Sequence, residues 1–253
     1  MKDLRLRGTM KISFVALFLC VFIIGMSNEH VRGDLITFTP SQDNSVFAEN
    51  NNSAGAKGFA FVGVTNGVAG TTIRRAFMQF NVAGIPSGSV INSVTLNLER
   101  AFSGPSAGND ILQLHPVLQS WGEGTSTGGG QGGTGYAPSA NSLTWNHRFF
   151  SSQFWTTPGG DIGPTSGTLT LDGNASFVVP SQAGMVADVQ NWVNNASSNF
   201  GWALRYRDEN TPGTARQFYS REATNANVRP TLTVDYTAIP EPSSCLLLAT
   251  TIS

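Results

Sequence analysis

The sequence predicts an all-β fold, a two-sheet antiparallel β-sandwich of the jelly-roll type with one short helix. Residues 74–99, RRAFMQFNVAGIPSGSVINSVTLNLE, contain two runs in which the side chains alternate with period two, as they do in strands. In the second run Val94, Leu96 and Leu98 are apolar and the residues between them are polar, which indicates one face on a core and one in water. Many short segments of this kind, separated by turn residues, are typical of a sandwich rather than of a βαβ fold.

Turn signals along the chain separate eleven predicted strands. Two of them, residues 74–82 and 89–99, are linked by a segment with Gly84, Pro86 and Gly88, which are suited to chain reversal. We therefore expect these two strands to form a hairpin-like pair. The predicted strands are residues 35–39, 44–49, 58–64, 74–82, 89–99, 110–118, 168–172, 175–179, 202–206, 217–221 and 231–236.

One segment departs from the strand pattern and predicts a short helix. Its apolar residues recur at the spacing of a helical stripe. Ser181 is expected to cap the start of this helix, and Asn194 and Asn195 to end it. We expect the helix to close one end of the sandwich with Trp192 in the core, which explains this tryptophan better than a functional role does. The residues of the stripe are Met185, Val186, Val189, Trp192 and Val193.

The composition argues against nucleic-acid binding and against thiol chemistry. Only 12% of the residues are charged, against about 25% in an average domain, and a surface poor in charge is typical of secreted β-proteins. After residue 33 the chain carries ten basic and fourteen acidic residues, a net charge of −4, without a basic stripe for phosphates. The two cysteines, Cys20 and Cys245, lie in the terminal apolar segments, so the folded part has no disulfide framework.

The chain divides into three predicted parts. Residues 1–33 are a predicted secretory signal, because basic residues precede an apolar run at 12–26 and a cleavage site follows; the alternative is an N-terminal membrane anchor. Residues 34–238 form the predicted sandwich domain. Residues 239–253 form a tail whose apolar end is too short to span a bilayer. Within the domain, the glycine-rich residues 122–142 predict a flexible loop.

Several separate stretches resemble, in order, the DNRLRE domain family. Together they span roughly residues 37–236, nearly the whole predicted mature chain, and the ordered set is more specific than any single motif. The matching stretches are RRAFMQFN at 74–81, IPSG at 85–88, VTLNL at 94–98, WGE at 121–123, TWN at 144–146, VQNWV at 189–193, FYSRE at 218–222 and RPTL at 229–232.

This resemblance implies an extracellular β-sandwich module of the kind attached to polysaccharide-active enzymes. Relatives in that family are grouped as carbohydrate-binding modules for acidic polysaccharides such as alginate. The tail resembles the PEP-CTERM sorting signal through Pro240, Glu241 and Pro242, although its apolar segment is short and no arginine cluster follows. By resemblance, we expect association with exopolysaccharide and the bacterial cell envelope.

The search for a catalytic constellation finds none, and the chain is predicted not to be an enzyme. After the signal segment only His115 and His147 are present, without a metal-binding spacing and without a GxSxG motif elsewhere. No spacing selects a pair of carboxylates for glycoside hydrolysis. A lyase would have to assemble its site from residues such as Tyr206, Arg205, Arg207 and His147, which only the fold could bring together.

A binding site asks for less: aromatic faces for sugar rings, with amides and guanidinium groups for hydroxyls and carboxylates. The alternative for Trp121 and Trp145 is that they fill the core at strand ends. Arg74 and Arg75 are further candidate contacts, but as neighbours on a strand they point to opposite faces, so at most one can serve. The predicted carbohydrate-binding residues are Trp155, Trp145, Trp121, Tyr136, Arg148, Arg205 and Arg207.

The sequence therefore predicts a secreted, noncatalytic protein of the carbohydrate-binding-module type, whose partner is extracellular polysaccharide. It predicts no nucleic-acid partner and membrane contact only through the signal or sorting segments. No cofactor is expected; structural calcium is an open option because Asp and Asn are common in loops, for example at Asp43, Asn50 and Asp208. Two alternatives remain, namely a structural envelope or matrix protein without a sugar site, and a polysaccharide lyase or hydrolase.

Overall fold

A computed structural model describes residues 33–104, 108, 110–127 and 133–239. The predicted signal segment, apart from Gly33, and the motif Pro240, Glu241 and Pro242 lie outside the described residues. Most of the regular structure within them is β-strand, with one α-helix, which confirms the all-β prediction. The strands are β1 (Asp34–Phe38), β2 (Pro40–Phe47), β3 (Phe59–Val64), β4 (Ile73–Phe80), β5 (Val90–Ser103), β6 (Ile111–Pro116), β7 (His147–Phe149), β8 (Gln153–Phe154), β9 (Gly167–Thr170), β10 (Ser176–Val179), β11 (Trp202–Tyr206), β12 (Arg216–Tyr219) and β13 (Thr231–Thr237).

A curled antiparallel sheet forms the two layers of a sandwich. The first layer contains β1, β13, β5 and β10, and the second contains β2, β3, β4, β11, β6 and β9. The long strand β5 connects them, because its first part pairs with β13 and its last part, near Arg100 and Ser103, pairs with β12. Strand β12 continues the sheet to β3. The main apolar core lies between the layers and includes Leu96, Met78 and Leu204.

The predicted pairing of the fourth and fifth strands as a hairpin is wrong. Strand β4 pairs with β2, β3 and β11, whereas β5 pairs with β10, β12 and β13. The connection between them places Val82 and Ile85 in the core, so it carries the chain from one layer to the other. Alternation of apolar residues shows that a strand has a buried face, but it does not identify the neighbouring strand.

The predicted helix is confirmed as α1 (Ala183–Asn194), with Met185, Val189 and Trp192 buried. Its Trp192 ring lies against Trp202 of β11, with ring centroids 4.5 Å apart. The predicted capping role of Ser181 is wrong, because the residue at the N-cap is Gln182 and no side chain caps the helix. The hydroxyl of Ser181 accepts a hydrogen bond from the Val94 amide instead, at 3.0 Å, and so connects the helix entry to β5.

Two short 3₁₀ helices, Ala196–Ser198 and Ala226–Val228, complete the regular structure. The described part of the chain has no helix with the length and apolar character needed to cross a bilayer. The described parts of the predicted glycine-rich loop are held to the domain at both ends. The Leu143 amide donates to the Gly122 carbonyl at 2.7 Å, and Ser53 and Tyr136 form a β-bridge.

Candidate functional site

The long connection between β6 and β9 folds over the outer face of the second layer and forms a second core there. The outward side chains Val46, Phe77 and Ala203 pack beneath it. Trp121 and Trp155 enter this core from above and are only 3% and 5% exposed. Alternation along the strands places apolar side chains on the outer face of the sheet as well as on the inner face. The two tryptophans bury these outer apolar side chains.

Both of these tryptophans have satisfied polar groups as well as buried rings. The indole nitrogen of Trp121 donates to the Phe200 carbonyl at 2.9 Å, and that of Trp155 donates to the Thr144 carbonyl at 3.2 Å. Phe77 stacks on Trp155 with ring centroids 5.9 Å apart. Neither predicted binding residue therefore presents a ring face to a ligand in this conformation, and both correspond to the core alternative.

Trp145 is half-buried, and its ring contacts the guanidinium group of Arg75. It is half-buried at the edge of the second core, and the guanidinium carbon of Arg75 lies 4.9 Å from its ring centroid, in cation–π geometry. Gly159 makes this contact possible: it has a φ of +90°, and a Cβ there would lie 2.6 Å from Arg75 Nη1. The Gly159 amide and carbonyl bind Trp145 and Arg75 respectively, at 2.6 and 3.0 Å.

Two arginines of the outer face converge on one carboxylate. Arg75 of β4 donates to both oxygens of Glu209, each at 2.8 Å, and Arg205 of β11 lies 3.0 Å from Glu209 Oε2. Glu209 is 8% exposed, whereas 25% of the Arg205 side chain remains exposed. Because β4 and β11 are paired strands, the sheet itself brings these two arginines together. The carboxylate fixes their direction.

These arginines line an open groove of about 560 Å³, here called the arginine groove. Asp161 shapes its wall by accepting hydrogen bonds from the Thr156 and Thr157 amides and from Gln119, at 2.7 to 2.9 Å. Its lining combines guanidinium, amide, hydroxyl and carboxylate groups with a few apolar surfaces, a mixture suited to a polar ligand. The lining residues are Arg75, Leu118, Gln119, Thr156, Thr157, Pro158, Gly160, Asp161, Ile162 and Arg205.

The other predicted binding residues lie outside this lining. Arg148 donates to the carbonyl and hydroxyl of Ser120, both at 3.1 Å, next to the groove residue Gln119. Tyr136 is half-buried with Lys57 Nζ 5.5 Å from its ring centroid, and Arg207 is exposed just after β11. The structure therefore brings one of the seven predicted residues, Arg205, into the groove, with Trp145 behind it.

The two candidate arginines on β4 have different environments. Arg74 is 1% exposed and forms a bidentate ion pair with Glu49, at 2.5 and 2.6 Å, whereas Arg75 lines the groove. Only Arg75 is accessible to a ligand, as the alternation of strand side chains required. The role of Glu209 in orienting the arginines was not predicted from the sequence. Its spacing of i, i+4 from Arg205 was the available signal, but the segment is not helical.

A separate acidic cluster lies at the edge of the core. Asp43, Glu123 and Glu222 each offer a carboxylate oxygen within 4.8 Å of the others. Arg221 bridges the two glutamates, with Nε 2.6 Å from Glu123 and 2.7 Å from Glu222. Burial, followed by the charge of Glu222, raises the pKa of Asp43 well above its ordinary value. Burial also raises the pKa of Glu222, although the charge of Arg221 opposes that shift.

The acidic cluster can therefore hold a proton between Asp43 and Glu222, and its oxygens are of the type that Ca²⁺ prefers. Among these three residues, the sequence points only to Asp43 as a candidate for structural calcium. They come from distant parts of the chain, and only the fold brings them to Asp43. Structural calcium stays a prediction.

The two histidines in the described part of the chain, His115 and His147, have structural partners. Nδ1 of His115 lies 2.9 Å from the Gly163 carbonyl, and Nδ1 of His147 lies 3.0 Å from the Thr144 hydroxyl. Burial lowers the pKa of His115 and that of His147. The described residues proposed for a lyase site are not gathered in one cleft, since Tyr206 faces the core and Arg205 the outer surface.

Comparisons with known proteins leave these observations without an assignment. No protein-family model and no curated protein matches the chain.

Proposed function

We propose that this protein is a secreted, noncatalytic module that binds extracellular polysaccharide through the arginine groove. The observation that carries the proposal is the pair Arg75 and Arg205, held in fixed directions by Glu209 and, for Arg75, by the ring of Trp145. Preorganised guanidinium groups lose little freedom on binding, so their hydrogen bonds contribute more to affinity than those of free side chains.

The ligand chemistry follows from the groups that line the groove. Guanidinium groups donate to carboxylates and hydroxyls, and the Gln119 amide and Thr hydroxyls suit the hydroxyls of a sugar. The groove is open to solvent rather than enclosed, which suits a segment of a polymer more than a small molecule that must be surrounded. Arg75 and Arg205 are offset by the charges of Glu209 and Asp161, so we expect binding to weaken only moderately with salt.

The predicted signal at residues 1–33 supports export, and the DNRLRE-like and PEP-CTERM-like features support an extracellular or envelope location. Together they make exopolysaccharide the proposed partner. The proposed binding domain is residues 34–238.

The second candidate is a structural envelope or matrix protein without a sugar site. It is favoured by the outer face of the first layer, where Thr37, Thr233 and Thr95 occupy adjacent register positions on β1, β13 and β5. The hydroxyls of Thr37 and Thr233 pair at 3.1 Å, and Asn97 donates to the Thr231 hydroxyl at 3.1 Å. A polar face satisfied by its own side chains suits lateral packing in a matrix.

A glycan array that includes acidic and neutral polysaccharides separates these candidates. We expect retention on an acidic polysaccharide with no release of product. Retention on no polymer would favour the structural candidate. New reducing ends, or the absorbance of an unsaturated uronate, would contradict the noncatalytic part of the proposal.

A further inference from the structure

Four buried side chains at the end of β5 carry polar atoms without hydrogen-bond partners in the described part of the chain. The atoms are Ser103 Oγ, Asp110 Oδ2, Tyr206 Oη, Arg216 Nε and Arg216 Nη1, each with less than 1 Å² of exposed surface. We call these four residues the Arg216 cage. Native interiors rarely leave polar atoms unsatisfied, and a group of them points to a bound molecule.

The strand register places the cage residues near one another. Arg216 of β12 pairs with Ser103 of β5, so both side chains project from the same face of the sheet. Tyr206 is the last residue of β11 and pairs with Leu112 of β6. Asp110 lies two residues before Leu112 in the chain and is therefore close to Tyr206. Burial is the main cause that raises the pKa of the Tyr206 hydroxyl; Asp110 adds to that shift, and Arg216, which lies close to the hydroxyl without meeting hydrogen-bond geometry, opposes it.

The position of the Arg216 side chain is fixed by its other edge. Nη2 donates to the Gly108 carbonyl at 2.5 Å and lies 3.4 Å from the Asp172 carbonyl. The residue is 1% exposed, so its Nε and Nη1 cannot reach bulk water.

The charges of the cage decide what kind of molecule fits. No ion pair joins Arg216 and Asp110 in the described part of the chain, and their opposite charges offset each other. A neutral molecule that both donates and accepts is therefore favoured over an ion. Because each of the five atoms has less than 1 Å² of exposed surface, a large ligand cannot reach them.

We propose that the Arg216 cage binds ordered water, which links Arg216 to Asp110, Tyr206 and Ser103. Because a buried water makes about three hydrogen bonds, the five atoms require about two molecules. These waters complete the polar closure of this end of the core and are part of the folded structure.

A high-resolution crystal structure of the protein grown with bromide tests this directly. We expect density for water within hydrogen-bond distance of Arg216 Nε and Nη1 and of Asp110 Oδ2, without anomalous signal. An anomalous bromide peak would replace the proposal with an anion site. A direct contact between Arg216 and Asp110 with no density between them would overturn it.

The substitution Tyr206→Phe tests in solution whether the hydroxyl has a hydrogen-bond partner, and the crystal structure shows whether that partner is water or Arg216. If water binds the hydroxyl, its removal loses a hydrogen bond and lowers the melting temperature by about 2 to 4 °C. If the hydroxyl is unsatisfied, its removal leaves stability unchanged or raises it, which would contradict the proposal. Tyr236→Phe is the matched control, because Tyr236 is partly exposed, and it should change the melting temperature very little.

Discussion

The two ends of the sandwich core are closed by polar groups in opposite ways. At the helix end, Asp188 of α1 lies beneath Trp202 and accepts hydrogen bonds from the Trp202 indole, at 2.6 Å, and from the Ser166 hydroxyl. At the other end, the Arg216 cage leaves five polar atoms without partners among the described residues. Strands β5 and β11 run from one end to the other, so the same strands experience both environments.

This comparison shows that a buried polar group is stabilised by matched donors and acceptors, whatever its charge. Asp188 accepts hydrogen bonds from the Trp202 indole and the Ser166 hydroxyl. Burial raises the pKa of Asp188, although these two hydrogen bonds oppose the shift. The cage contains both donors and acceptors, but these five atoms form no hydrogen bonds with one another or with other described residues. At the helix end, the protein's own side chains satisfy the buried polar group. At the Arg216 end, we propose that bound water does so.

The largest expected effect is at the helix end. Trp202→Ala removes a fully buried ring that contacts Trp192 and Phe80, and should lower the free energy of unfolding by about 3 to 5 kcal/mol in urea denaturation. Trp145→Ala is the control, since its ring is only half-buried and should cost clearly less. Equal losses would mean that the helix end does not carry the main core.

The hydrogen bonds of Asp188 should contribute the next largest effect. Asp188→Ala leaves the Trp202 indole and the Ser166 hydroxyl without an acceptor and should cost about 2 to 3 kcal/mol of unfolding free energy. Asp235→Ala removes a carboxylate bonded by the Asn92 amide at the surface and should cost about 0.5 kcal/mol or less. If both variants lost the same small amount, the matched-donor account of this end would fail.

Asp43 is a buried carboxylate that lies close to Glu123 and Glu222, so its charged form should be destabilised in the folded protein. The folded-state pKa of Asp43 is raised above its ordinary value of 3.8, so the folded protein holds a proton that the unfolded chain releases. As pH rises from 3.8 through the folded pKa, wild-type stability should fall relative to Asp43→Asn, by about 1.4 kcal/mol per pH unit within that window.

Urea denaturation of both proteins across this pH range measures the difference. Below pH 3.8 the carboxyl is protonated in both states, so the difference should be constant there. A difference that grows in favour of the wild type as pH rises would show that Asp43 is stabilised as an anion.

The smallest expected effect is at the Arg216 end. Ser103→Ala should lower the free energy of unfolding by about 0.5 to 1.5 kcal/mol if its hydroxyl binds water. Ser197→Ala, at an exposed hydroxyl, should change it by less than about 0.5 kcal/mol. A gain in stability from Ser103→Ala would show that the hydroxyl is unsatisfied and would remove the contrast between the two ends.

Much of the fold was predictable because burial on one face leaves a periodic signal. The strand at Trp202–Tyr206 was predicted with its observed bounds, and α1 followed from the apolar stripe that includes Trp192. Strand partners were not predictable, as the separation of β4 from β5 shows, because a period-two pattern looks the same whichever strand lies alongside.

The site was less predictable because its parts come from distant segments. Glu209 meets Arg75 across 134 residues of chain, and no local pattern signals that contact. Trp121 and Trp155 seemed suited to binding because they lie in a loop-rich region, but the apolar outer face of β4 and β11 requires a cover and they supply it. The Arg216 cage has no sequence signature, since a single arginine in a strand is consistent with an exposed position.

The central functional claim is that Arg205 in the arginine groove contacts a polysaccharide. Calorimetric titration of the best polymer from the array against Arg205→Ala tests it, with Arg207→Ala as a control that removes the same charge two residues away, outside the groove lining. We expect about a tenfold to hundredfold loss of affinity for Arg205→Ala and little change for Arg207→Ala, with both variants as stable as the wild type. Unchanged affinity in a folded Arg205→Ala variant would contradict the account.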